Sequence, residues 1–136
     1  MRDSSRVSSR FWTGAVGLRL KRLGANAQLV ALYLITCPHA NDLGLYFLPV
    51  PYLSFDTGLP PDAAQAALSA LEKDGFAHYD PLSSFVWVPD MAAWQLGDTL
   101  SPRDRRVIGV RNLLAHMPEN PYLEPFTRRY REAFHL

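Results

Sequence analysis

Residues 52–88 read YLSFDTGLPPDAAQAALSALEKDGFAHYDPLSSFVWV, and this stretch decides the fold. Gly58 closes a short helical segment that begins at Tyr52, because glycine tolerates the left-handed conformation at a helix end. Pro60-Pro61 opens a longer helix over Asp62–Asp74, where proline costs little since first-turn amides lack intrahelical partners. Ala64, Ala67, Leu68 and Leu71 recur at helical spacing and form its buried stripe, and Gly75 ends it. Phe76–Asp80 and Phe85–Val88 are two aromatic, β-branched runs separated by Pro81–Ser84, the pattern of a hairpin with a four-residue loop.

Upstream, Asn26 is a suitable N-cap for a helix running to Thr36 and closed by Pro38. The apolar run Leu29–Ile35 covers that helix nearly all round, so it should be the central buried element. Asn41-Asp42 marks a turn, and Gly44–Leu48 is short, aromatic and β-prone, ending at Pro49 and Pro51. Phe11-Trp12-Thr13-Gly14 introduces bulky apolar surface ahead of a short helix reaching about Arg22. Downstream, Ser101-Pro102-Arg103-Asp104 carries the serine cap, first-position proline and following acid of a helix start. Val107, Val110, Leu114 and Met117 supply its core stripe. Residues 121–124 read as a turn, with a last helix starting near Pro125 and presenting Phe126, Tyr130 and Phe134 every four residues.

A strand, a helix-turn-helix and a hairpin in that order make a winged helix. The expected fold class is α+β, mostly α: a winged helix-turn-helix with a small antiparallel β-hairpin wing and extra N- and C-terminal helices. The expected organisation is a flexible basic arm over 1–10, a winged-helix core over 11–98 and a C-terminal helical extension over 99–136, packed on the core. At 136 residues, 48% of them hydrophobic, the chain can bury a core as one domain. The lone Cys37 forbids an internal disulfide, which fits a reducing compartment. Neither a signal-peptide apolar region nor the roughly 18 apolar residues of a membrane span is present, so the expected location is cytoplasmic.

Motifs for catalysis are missing. There is no phosphate loop, dinucleotide fingerprint, zinc-protease pair or Gly-x-Ser-x-Gly elbow. His39, His78, His116 and His135 are scattered without a second ligand at metal spacing. Cys37-Pro38-His39 places a thiol beside an imidazole, but at one helix end and without an orienting third group, so Cys37 reads as a small buried hydrophobe. No catalytic residue, metal, cofactor or small-molecule substrate is expected, and the protein is read as non-enzymatic.

Charge is unevenly placed. The net value is +1, yet residues 1–22 hold six basic side chains against Asp3, and residues 23–98 hold Lys73 alone against eight acids. Residues 99–136 return to seven arginines against four acids. Basic ends flanking an acidic centre suit either a polyanion held by the ends or ends that neutralise the centre as ordinary solvated faces. The second helix of a helix-turn-helix enters the major groove near its N-terminal end; here it offers Gln65, Ser69 and, farther along, Lys73. That is a thin code, and the loop Pro81–Ser84 has no base to neutralise phosphate. Three arginine-rich clusters lie outside it: Arg19, Lys21 and Arg22; Arg103, Arg105, Arg106 and Arg111; and Arg128, Arg129 and Arg131. Arginine suits bidentate phosphate contacts.

Phe11-Trp12-Thr13-Gly14, the run from Ala31 to Asn41 with Gly44-Leu45-Tyr46, and Phe55–Leu59 resemble the N-terminal domain of phage and prophage replication proteins. So do Ala67–Gly75, Val86-Trp87-Val88 and Asn120-Pro121. These are replisome-organiser, DnaD-like winged-helix proteins, and the resemblance covers roughly residues 10–134. It implies a domain that binds DNA at a phage origin, self-associates or recruits replication machinery. Members usually continue into a second domain that engages helicase-loading partners, so residues 1–136 read either as a stand-alone relative or as one domain of a longer protein. The expected partner is double-stranded DNA, with a second copy or a replication protein as further partners, and no membrane. The alternative is a winged-helix interaction or oligomerisation module without direct DNA binding, docking through Phe11-Trp12 and Phe126-Tyr130-Phe134.

Overall fold

A computed structural model describes residues 3–136; Met1 and Arg2, which belong to the expected arm, lie outside the described residues. The fold is α+β and mostly helical. It opens with α1 (Arg10–Thr13), α2 (Ala15–Leu23) and α3 (Ala25–Thr36). Only Gly24 separates α2 from α3, with φ +101°, so glycine makes this reversal and α3 starts one residue before the expected cap Asn26. Gly17 lets α2 close on α1: a Cβ there would sit 2.3 Å from the Phe11 carbonyl oxygen.

Next come β1 (Leu45–Phe47), α4 (Val50–Thr57), α5 (Pro61–Asp74), β2 (His78–Asp80) and β3 (Phe85–Trp87). Helix α4 begins two residues before Tyr52, because Pro49 serves as its extended N-cap and Pro51 fits the first turn. Strand β3 lies between β1 and β2, antiparallel to both, with Tyr46 opposite Val86 and Tyr79 opposite Val86. Asp80 shapes the hairpin loop by accepting from the Ser83 amide and hydroxyl, and Ser84 takes φ +60° to re-enter β3. On the open edge of β1, the Asn41 side chain occupies the place of a neighbouring strand. Its Oδ1 accepts from the Leu43 and Leu45 amides while its Nδ2 donates to the Leu45 carbonyl.

The remaining helices are α6 (Met91–Leu96), α7 (Arg105–His116) and α8 (Leu123–Tyr130). Helix α6 was not expected. Helix α7 starts at Arg105 rather than after Ser101, since the Asp104 carboxylate, itself gripped by Arg106, accepts the Arg106 amide at 2.9 Å. Ser101 caps only a preceding turn, accepting from the Arg103 amide. Helix α8 starts at Leu123 rather than near Pro125, so the proline falls in the first turn, where its missing amide leaves no bond unmade.

Alternation along the strands divides the interior in two. Tyr46, Leu48, Tyr79, Val86 and Val88 pack with α2, α3, α4 and α5 around Leu20, Val30, Leu34, Leu53 and Leu68. Leu45, Phe85 and Trp87 face the opposite way, onto Val107 and Val110 of α7 and Phe126, Tyr130 and Phe134. The sheet is therefore covered on both faces by helices. Helix α6 joins the two cores, with Met91 in the first and Ala92 and Leu96 in the second. Cys37 is buried in the first core, its Sγ 3.5 Å from the Tyr46 hydroxyl.

Candidate nucleic-acid interface

The inner face of α5 takes Ala64, Ala67, Leu68 and Leu71, which leaves Gln65, Ser69 and Lys73 on its outer face. The Gln65 amide donates to the Ser69 hydroxyl at 3.4 Å. The outer positions around them are mostly alanine, and Asp62 stands in the first turn, so Lys73 is the single cation of this helix. The hairpin tip beside the sheet presents Leu82, 97% exposed.

The arginine clusters do not gather on that face. Arg19 is drawn to the C-terminal end of α5, its Nε 3.1 Å from Asp74 Oδ1, while Lys21 and Arg22 remain exposed in the last turn of α2. Helix α7 lies across the sheet from α5, and Arg103, Arg105, Arg106 and Arg111 lie with it. Arg111 donates to the His135 carbonyl. Arg106 grips Asp104 at 2.8 Å and sends Nη1 to the Leu96 carbonyl at 3.0 Å. The Arg106 side-chain hydrogen bond, reinforced by its amide, holds the Asp104 carboxyl at about 2. On α8, Arg128 pairs with Glu124 one turn away and Arg129 pairs with Asp90. Arg103, Arg105 and Arg131 are exposed.

One convergence does occur, through α6. Gln95 is buried, 8% exposed, and both ends of its amide are used on a residue far away in sequence. It accepts from the Arg6 amide at 2.9 Å and donates to the Arg6 carbonyl at 2.8 Å. The next residue, Leu96, receives Arg106. The N-terminal segment and the start of α7, the two basic ends of the chain, are thus fastened to consecutive residues of one short helix. Beyond Arg6 the chain continues through Ser8, which accepts from the Arg10 amide, into α1. Between this segment, α1, α2 and Trp94 lies a cleft of about 630 Å³.

The aromatic segments named as docking surfaces are mostly interior. Phe11, Phe126, Tyr130 and Phe134 are buried in the protein's own cores, and of these segments Trp12 alone is well exposed. Elsewhere, His39 lies 3.4 Å from Asp56, which also accepts from the Tyr33 hydroxyl at 2.7 Å. Burial, and then Asp56, raise the Tyr33 pKa. His39 is turned to this carboxylate, while the Cys37 thiol lies at the Tyr46 hydroxyl.

Gln95 and α6 escaped the reading of the sequence. The signal for α6 is short but legible: Pro89-Asp90 before an apolar run and Gly97 after it. Nothing in the sequence marks Gln95 as the partner of a backbone 89 positions away. Comparison of the chain with protein-family models, with curated proteins and with solved structures finds no match.

Proposed function

We propose that this chain is a winged-helix protein that binds double-stranded DNA through its two basic ends rather than through α5. The element order α3, β1, α4, α5, β2, β3 and the strand order β1-β3-β2 support the winged-helix reading. The observation that carries the DNA reading is the fastening of Arg6 and Arg106 to neighbouring residues of α6. It ties the segments that carry Arg6, Arg103 and Arg105 to one helix, and in this reading those side chains follow a phosphate backbone together. Arg105 stands in the first turn of α7, where positive charge opposes the helix dipole. Its charge gives the helix nothing there, which suits a residue kept for an anion. A role in phage-type replication initiation or regulation rests on the resemblance of the stretches quoted above.

The test is duplex binding followed by anisotropy from low to moderate salt. Affinity should fall steeply with salt, and the double variant Arg103→Gln/Arg105→Gln should flatten the log–log slope by about 1.8. Gln65→Ala/Ser69→Ala should leave affinity for arbitrary sequence within about twofold, because those side chains neutralise no phosphate. Binding absent at low salt, or a slope untouched by losing both arginines, overturns the proposal.

A second reading is favoured by Phe55 and Leu82, which are 87% and 97% exposed. Large apolar side chains so fully in water suit a protein partner. A stable dimer by light scattering, lost on Phe55→Ser or Leu82→Ser and indifferent to DNA, would establish that reading instead.

A further inference from the structure

The cleft beside α6 has chemistry that a duplex backbone does not use. Its floor is Phe11, Val16 and Ile35, all apolar; one wall is the indole of Trp94; and Arg6 and Arg10 line it as well. Trp94 is 37% exposed although its ring lies against Phe76 at 6.1 Å, so part of the indole is left open. Arg6 and Arg10 have no carboxylate partner among the described residues. The wall formed by residues 6–8 is held in place by the Gln95 clamp, so the site exists before any ligand arrives and little ordering is needed on binding. Trp12, 55% exposed, follows Phe11 on α1 and meets it edge-on at 4.9 Å, adding a second open indole one residue from the floor.

A ligand for this site needs a flat apolar body for the indole and negative charge for the guanidinium groups. Acyl chains lack the flat body. Bases inside a duplex have their faces covered by their neighbours, whereas every unpaired base offers a π-face that stacks on an aromatic side chain without regard to sequence. We propose, resting on the DNA-binding reading above, that this cleft takes an unpaired nucleotide of a DNA strand. The base lies on Trp94, its phosphate meets Arg10, and Trp12 receives the neighbouring base. The protein then holds a duplex along its basic ends and an opened strand in the cleft.

Two labelled probes test this, a 20-residue oligothymidylate and a 20-base-pair duplex, each titrated by anisotropy with the full chain. The oligothymidylate should bind and quench tryptophan emission. Trp94→Ala should weaken it about tenfold while changing the duplex by less than about twofold, and Trp94→Phe should recover most of the loss. Arg10→Gln, at the exposed start of α1, should flatten the single-strand salt slope by about 0.7, a readout that does not depend on how Trp94 packs. Equal effects of Trp94→Ala on both probes, no effect on either, or an unchanged slope in Arg10→Gln would overturn the proposal. So would thymidine monophosphate binding as tightly as the oligomer, which would make the cleft a site for free nucleotides. Duplex binding without single-strand binding sinks this inference alone; binding of neither probe sinks the DNA reading with it.

Discussion

Replacing Gln95 with leucine removes both hydrogen bonds to Arg6 while nearly conserving the volume buried behind them. Two neutral hydrogen bonds contribute about 2 kcal/mol together. Releasing Arg6 and one neighbour returns backbone freedom of about 1–2 kcal/mol per residue. The two effects nearly cancel, so the melting temperature should move by no more than about 4 °C. DNA affinity should respond more. In the variant the arm must be ordered at the moment of binding, and one to two residues' worth of that cost weakens the complex about tenfold or more. The charges are all still present, so the slope of log affinity against log salt should stay within about 0.5 of the parent. Anisotropy titrations of a labelled duplex at several salt concentrations measure both quantities at once. A dissociation constant within twofold of the parent would refute the idea that the clamp pre-organises a DNA-binding arm. A slope reduced by a whole unit would show instead that the arm no longer reaches phosphate at all.

Other outcomes follow from the packing. Asp104→Ala removes the cap of α7 and the partner of Arg106, and hydrogen exchange at the Arg106 and Val107 amides should speed up against the rest of the chain. Because the folded Asp104 carboxyl is depressed to about 2 from an ordinary 3.8, its contribution is fully present above about pH 4. It is lost as pH falls from there to about 2, so the parent's advantage over the variant in thermal melts should shrink across that window. Gly17→Ala would drive a Cβ into the Phe11 and Trp12 backbone at 2.3 and 2.7 Å, and should cost about 1–3 kcal/mol in urea unfolding. A neutral result would mean α1 can slide off α2. Phe126→Ala empties a fully buried site facing Tyr130 at 4.9 Å and should cost about 3–5 kcal/mol by the same measurement; a loss under 1 kcal/mol would mean the second core is loosely held.

How far the sequence was legible depends on what kind of interaction built each part. Helix α5 and the hairpin were legible because Pro60-Pro61, Gly75 and the alternation of Phe85–Val88 are local signals, spaced as the backbone requires. The start of α7 departs from the expectation because two caps follow one another: Ser101 accepts from the Arg103 amide of a turn, and Asp104, held by Arg106, accepts from the Arg106 amide where the regular helix begins. Helix α6 is too short for periodicity to register. Phe126, Tyr130 and Phe134 showed their four-residue spacing plainly, but spacing cannot say whether a stripe faces its own sheet or a partner; here Trp87, Phe85 and Leu45 claim it. The scattering of the arginines, and the meeting of the two ends on α6, are products of tertiary topology. A side-chain amide reaching an amide and a carbonyl 89 residues earlier leaves no local trace.

The joint made by α6 bears on how the chain comes apart. Cut between residues 98 and 99, the N-terminal part would leave Leu45, Phe85 and Trp87 facing water, and the C-terminal part would lose the sheet that Phe126, Tyr130 and Phe134 cover. The central strand β3 is buried along its whole length, with Val86 in one core and Phe85 and Trp87 in the other, so neither helical layer can leave without uncovering it. The extension is therefore as much a folding partner of the hairpin as α3 is, and denaturation should proceed as one cooperative transition in which the arm's anchorage, the cleft and the start of α7 are lost together.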